Sequence, residues 1–80
     1  MMDPQVIKDL IIAGLPDADV VVEGDDGTHF QARIVSEQFA GKNMVQQHQL
    51  VYKALGEKMG NEIHALAMQT FTPAEWEQRQ

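Results

Sequence analysis

The sequence predicts an α+β fold in which helices cover one face of a three-stranded mixed sheet. Three observations support this class: apolar residues recur at helical spacing in two segments, apolar residues mark three strand-like segments, and the segments follow the order α-β-β-α-β-α. The chain has 80 residues, which is the length of one small domain, so we predict a single domain over residues 1–80.

The first helix and the first strand are predicted from residues near the N-terminus. Asp3 is a good N-cap, and Pro4 is tolerated at the first helical position. An apolar stripe then recurs at helical spacing: Val6, Ile7, Leu10 and Ile11. Gly14 and Pro16 predict the end of this helix, and three consecutive valines at residues 20–22 predict a short strand.

A tight hairpin is predicted to join the first two strands. Residues 24–27, Gly-Asp-Asp-Gly, favour a turn because glycine and aspartate tolerate the left-handed backbone that hairpins require. Phe30, Ala32 and Ile34 then alternate with polar residues, which predicts a second strand with one buried face. The hairpin makes these strands antiparallel, and the long helical crossover that follows makes the second and third strands parallel.

A long second helix is predicted after a break at residues 39–43. Asn43 and Gln46 form a capping pair at its start, and Gly60 followed by Asn61 predicts its end. We expect four residues to form its core face, with Val51 beside them: Val45, His48, Tyr52 and Leu55.

The C-terminal part of the chain predicts a third strand and a short last helix. Residues 62–71 form the strand, with His64, Leu66 and Met68 on one of its faces. Residues 72–75, Thr-Pro-Ala-Glu, are a second capping-box pattern, so a helix that carries the only tryptophan should follow.

Composition excludes several classes of function. With no cysteine, the chain has neither a thiolate nucleophile nor a thiolate metal site, and it fits a reducing compartment. Ser36 is the only serine and lies outside any G-x-S-x-G motif, while capping explains the carboxylates, so we predict that the protein is not an enzyme. No segment is long and apolar enough to span a membrane, and we expect a cytoplasmic protein.

Three histidines are the remaining candidates for a functional site. We interpret His48 as a helix-face residue at the edge of the core, and His29 as an exposed polar position at the start of a strand. His64 has a less ordinary context, because its polar ring shares a strand face with large apolar side chains. From pattern alone it is either a structural residue or a ligand, since distant histidines make a poor metal signature without a third ligand.

Several short motifs give the chain a resemblance to the BolA family that runs nearly end to end. They fall in the family's order and spacing, and together they are specific: Thr28-His29-Phe30, Val35-Ser36, Phe39-x-Gly41-Lys42, His48-x-x-Val51-Tyr52, Ile63-His64-Ala65-Leu66-Ala67 and Thr72-Pro73-x-x-Trp76. The short N-terminus and the tight turn at residues 25–27 resemble the small bacterial IbaG/YrbA-like branch.

The resemblance implies a fold similar to class II KH domains, which agrees with the predicted order of elements. It also implies a function, because family members pair with monothiol glutaredoxins and share a [2Fe–2S] cluster with them. The glutaredoxin brings a cysteine thiolate and a bound glutathione, and the BolA partner brings a histidine at the position of His64. The absence of cysteine agrees with this arrangement, since such clusters need thiolates that another molecule must supply.

The chain departs from the family pattern at two places. The loop in which many relatives carry a second ligand is reduced to Gly-Asp-Asp-Gly-Thr, so His29 is the candidate second ligand, with water or no ligand as alternatives. Relatives often have arginine on both sides of the helix histidine, where this chain has Gln47 and Gln49. As a partner of the chain, a second copy that forms a homodimer is a further alternative.

The alternative function is a KH-like, nucleic-acid-binding transcriptional regulator in the stress response, as some family members are described. We assign its candidate contacts to four residues: Lys42, Asn43, His48 and Lys53. A basic stripe on one face would favour this function, and its members would be Lys42, Lys53, Lys58 and Arg33. The net charge of −6 and the missing arginines predict that nucleic-acid binding is weak or absent.

Overall fold

The predicted order α-β-β-α-β-α is confirmed, with one added 3-10 turn, in the residues that the computed structural model describes: 3–24, 29–56 and 65–79. The elements are α1 (Pro4–Gly14), β1 (Asp19–Glu23), β2 (His29–Val35), the 3-10 turn (Glu37–Phe39), α2 (Met44–Leu55), β3 (Ala65–Phe71) and α3 (Pro73–Gln78). The predicted capping boxes are present at α2, with Asn43, and at α3, with Thr72.

The sheet has the predicted mixed topology, with strand order β1-β2-β3. β1 and β2 pair in antiparallel fashion, so that Val20 lies opposite Ile34. β2 and β3 pair in parallel, from His29 with Ala65 at one end to Val35 with Phe71 at the other. β2 is therefore the central strand, and β1 and β3 form the two edges.

The core lies between one face of the sheet and helices α1 and α2. Within the described ranges, ten buried apolar residues form it: Ile7, Ile11, Leu15, Val20, Phe30, Ala32, Ile34, Phe39, Val51 and Leu55. The alternation predicted for β2 is therefore confirmed. Gly14 lets the two helices approach closely, because a Cβ atom at this position would lie 2.6 Å from the Cβ of Ala54.

The buried face of α2 differs from the predicted one. Val45 is 65% exposed and Tyr52 is 40% exposed, whereas Gln47 is buried together with Val51 and Leu55. A glutamine can occupy this position because all of its polar atoms find partners inside the protein. The prediction was wrong because it took Val45 and Tyr52 into the core face and left out Gln47.

The predicted end of α2 is also wrong. The helix ends at Leu55, and Gly56 caps it with a positive φ of 60°, a backbone conformation that glycine adopts without steric cost. The predicted stop at Gly60 and Asn61 lies outside the described residues.

α3 contacts the sheet face that α1 and α2 leave open. Arg33 points to this face, because its neighbours Ala32 and Ile34 are buried on the other one. The guanidinium carbon of Arg33 lies 4.3 Å from the centre of the Trp76 ring, which belongs to α3. None of the described helices is long and apolar enough to cross a membrane.

Candidate functional site

The main predicted ligand, His64, lies outside the described residues, and its role stays a prediction. The strand that it was predicted to enter is described from Ala65 onward. Ala65 directly follows His64 in the sequence and pairs with His29 in the register of β2 and β3. The end of the sheet at which β3 begins is therefore the end at which His29 lies.

His29 is the first residue of β2, and its side chain is exposed, as predicted. The alternation along the strand directs Phe30 into the core and His29 to the open face of the sheet. Farther along the same face, Glu23 of β1 and Gln31 of β2 line a groove of about 560 Å³. A partner can therefore approach His29 across a surface that no helix of the described chain covers at this end.

His48 lies elsewhere. It is half-buried in the middle of α2, which agrees with its interpretation as a residue at the core edge. Because α2 packs on the core face and His29 points to the open face, the sheet separates these two histidines. Among the described residues, no group of three or more histidines, cysteines, aspartates or glutamates is placed to hold a metal ion.

The residues predicted for a nucleic-acid contact are spread along the length of α2. Lys42 precedes α2, and Lys53 lies in its last turn, so the length of the helix, roughly 15 Å, separates them. The Asn43 side chain is occupied at the helix start, where its oxygen accepts from the Gln46 N–H (2.9 Å). His48 lies between the two ends.

The basic stripe that would favour a regulator is likewise absent from the described part of the chain. Arg33 lies on the open face of the sheet, where it stacks on Trp76 and approaches a carboxylate oxygen of Asp19 (3.4 Å). Lys53 lies on α2 across the sheet, in a pocket that α1 also lines. Arg33 is thus a contact between the sheet and α3. The feature of the sequence that could have indicated this contact is the single tryptophan, which follows a capping box.

Gln47 has a structural role that the sequence analysis missed. Its side-chain nitrogen donates to the carbonyl oxygens of Phe39 (3.2 Å) and Lys42 (2.9 Å), and its oxygen accepts from the Thr70 hydroxyl (2.6 Å). The side chain therefore joins the loop before α2 to β3. Because it is buried and fully bonded, Gln47 is not placed to contact phosphate, and only Gln49 marks an exposed position where an arginine is missing.

Glu75 is the one described group with a clear change in pKa. The backbone N–H of Thr72 donates to its carboxylate (2.8 Å), and this bond, together with one to the Thr72 side chain, holds the pKa of Glu75 below its ordinary value of 4.5. The bond is part of the capping box that begins α3.

Comparison with known proteins relates the chain to one family. The family profile described as BolA-like protein matches residues 16–75. The chain is 49% identical to BolA-like protein 1 of Homo sapiens over 49 residues, which are 61% of this chain and 36% of that protein. It is 47% identical to the DNA-binding transcriptional regulator BolA of Vibrio cholerae over 51 residues, which are 64% of this chain and 48% of that protein.

A solved structure extends the similarity to nearly the whole chain. The structure of a BolA protein homologue from Coxiella burnetii matches with a TM-score of 0.86 and 42% sequence identity, covering 96% of this chain and 99% of that chain. The aligned segments span only about a third to a half of the two curated relatives. The fold is thus similar over nearly the full chain, while the curated relatives contain additional sequence.

Proposed function

The chain belongs to the family of BolA-like proteins, and we therefore propose that it is a non-enzymatic partner of a monothiol glutaredoxin, with which it shares a [2Fe–2S] cluster. Its role would be iron–sulfur trafficking or assembly, or the sensing of iron and stress. The observation that carries this proposal is the family match over residues 16–75, a range that includes both His29 and His64.

The donor groups of the chain fit a shared cluster. A [2Fe–2S] cluster is held by cysteine thiolates. In one known class of these clusters, two histidines replace two of the cysteines. This chain has three histidines and no cysteine, so it can offer imidazole ligands only. The thiolates must come from the glutaredoxin and from the glutathione that it binds.

His64 is the proposed ligand, and His29 is the proposed second ligand. His29 is exposed on the open face and pairs with Ala65, the residue that follows His64. A neutral ring nitrogen is required for iron binding, because a protonated imidazole has no lone pair to donate. When bound, the cluster supplies one-electron chemistry, and the chain's own part is to present the imidazoles.

The test is anaerobic reconstitution of the chain with a monothiol glutaredoxin and glutathione. We expect the complex to show visible absorption that differs from that of the glutaredoxin alone, and His64→Ala to abolish this difference. His48→Ala is the matched control, because it removes the histidine of α2 that we interpret as a structural residue at the core edge, and it should leave the spectrum unchanged. An unchanged spectrum for His64→Ala would contradict the assignment.

The second ligand is tested in the same experiment. If His29 binds iron, His29→Ala changes the spectrum while part of the cluster absorption remains. A spectrum identical to that of the unmodified complex assigns the second position to water or to the partner. The two histidine variants thus separate the proposed function from the identity of its second ligand.

A second candidate function, sequence-specific DNA binding, is favoured by the name of the Vibrio cholerae relative. Two observations oppose it: Arg33 is held against Trp76, and the net charge is −6. We expect only weak, nonspecific binding when a labelled duplex is titrated at about 150 mM salt. A dissociation constant near 10⁻⁸ M, roughly the value of specific complexes, with sequence preference would favour the regulator instead.

A further inference from the structure

The two edges of the sheet differ in charge and length. β1 has five residues and carries Asp19 and Glu23 at its ends, whereas β3 has seven residues, none of them charged and none of them proline. Native proteins protect edge strands against pairing with other chains by keeping them short or by placing charges and prolines on them. β1 has this protection, and β3 lacks it.

The peptide groups of β3 point in a direction that the structure determines. The Ser36 N–H, just after β2, donates to the carbonyl oxygen of Phe71 (3.0 Å), so Phe71 directs its backbone groups to β2. Because successive residues of a strand alternate in this respect, every second residue before Phe71 does the same. The intervening residues direct N–H and C=O to the outer edge of the sheet: Leu66, Met68 and Thr70.

As far as the described residues go, the outer edge of β3 is also apolar and accessible. The side chains of Leu66 and Met68 pack against the core but are only partly buried. The helix that follows β3 does not run along this edge, because its Trp76 ring lies on Arg33 of the central strand. A strand placed beside β3 would therefore meet open peptide groups and cover apolar side chains.

We propose that two copies of this chain pair through β3 in antiparallel fashion, on a two-fold axis at Met68, and form one six-stranded sheet. In this register Met68 pairs with its own copy, and Leu66 of each chain pairs with Thr70 of the other. These three pairs consist of residues that point outward, so they form about six backbone hydrogen bonds.

The side chains of this arrangement suit a second copy of the chain. On the open face of the sheet, Ala67 of each copy lies opposite Gln69 of the other, and no like charges meet despite the net charge of −6. The same arrangement through β1, centred on Val21, would place Asp19 opposite Glu23 twice, and like charges directly opposite destabilise a strand pair. Charge therefore favours the β3 edge for self-pairing.

Paired charge variants test the register directly. Two double variants place like charges opposite each other twice across the axis: Ala67→Glu with Gln69→Glu, and Ala67→Lys with Gln69→Lys. Ala67→Lys with Gln69→Glu changes the same two exposed positions but places opposite charges there. In sedimentation equilibrium we expect both like-charged variants to dimerise about tenfold more weakly than the opposite-charged variant.

The unmodified chain provides a second test, which does not depend on the folding of any variant. We expect the amide protons of Leu66, Met68 and Thr70 to exchange more slowly as the chain concentration rises. The amide protons of Ala67 and Gln69 should be protected at every concentration, because they face β2. Val21→Glu, on the other edge, should leave the dimer unchanged.

Three results would overturn the proposal. The first is a monomer at all chain concentrations, and the second is equal dimerisation of the like-charged and opposite-charged variants. The third is protection of the outward amides only when a glutaredoxin is added, which would assign the β3 edge to another protein. None of these results depends on a cluster, so they leave the proposed function to be judged by its own experiment.

Discussion

The two faces of the sheet are held by different kinds of contact. On the face toward α1 and α2, Phe30 and Ile34 are buried in a continuous apolar core. On the opposite face, the contact between sheet and helix is made at one end by Arg33, Trp76 and Phe71. Apolar burial stabilises the fold in proportion to the apolar area removed from water. The contact of Arg33 with Trp76 instead depends on the position of a few groups. Stability thus resides mainly on one face, and the other is left exposed around His29.

The largest effect is expected from a cavity on the core face. Ile34→Ala should lower the free energy of unfolding by about 2–5 kcal/mol, because the side chain has no exposed surface and its loss leaves a cavity. Val21→Ala is the matched control, since Val21 lies on the open face of the same sheet and is 37% exposed. Urea unfolding of both variants measures the contrast, and equal losses would contradict the assignment of the faces.

The next largest effect is expected from the buried amide that joins α2 to the rest of the core face. Gln47→Ala should cost about 1–3 kcal/mol, because it leaves the carbonyl oxygens of Phe39 and Lys42 without this donor. Gln49→Ala changes the exposed glutamine two positions later and should stay within about 0.5 kcal/mol of the parent. Denaturant midpoints measure both, and a neutral Gln47→Ala would show that water replaces the bonds.

A smaller effect is expected on the open face. Trp76→Ala removes the stacking on Arg33 and the contact with the Phe71 ring, whose centre lies 5.3 Å away, and should cost about 1–2 kcal/mol. Gln78→Ala, at an exposed position of the same helix, is the control for α3 itself. Thermal unfolding compares the two. A loss as large as that of Ile34→Ala would show that the open face contributes as much as the core.

The smallest effect concerns pH and the start of α3. Because the pKa of Glu75 is lowered in the folded chain, its bond to Thr72 stabilises the fold above the ordinary value of 4.5. This contribution is lost as the pH falls through the lower folded pKa. Glu75→Gln should therefore show a flatter dependence of the melting temperature between about pH 6 and 3 than the parent. Parallel curves for the variant and the parent would show that Glu75 does not contribute to the loss of stability at low pH.

Local signals explain which parts of the fold the sequence predicted. The caps at Asp3, Asn43 and Thr72 depend on residues two or three positions away, and all three are present. The alternation in β2 is also local, and it placed Phe30 and Ile34 in the core. Predictions of this kind succeed because the interacting groups are neighbours in the chain.

The errors arose where tertiary contacts decide. Gln47 is buried because Thr70, 23 positions later, and two loop carbonyls bond to it, and no pattern within α2 indicates these partners. The same contacts orient the helix so that Val45 and Tyr52 are exposed. In the candidate site, the exposed position of His29 was predicted correctly from alternation. The identification of His64 came from the resemblance to a family, and it stays a prediction.

The register of the sheet has a consequence for the order of folding. Each β2 residue pairs with a β3 residue 36 positions later, from His29 with Ala65 to Val35 with Phe71, whereas Glu23 pairs with Gln31 across the hairpin. Contacts between distant positions close a longer loop and form more slowly than local ones. β3 should therefore join the sheet last, after the hairpin has formed. Until then the side of β2 that receives β3 is open, and a β3 strand from a neighbouring chain can occupy it by domain swapping.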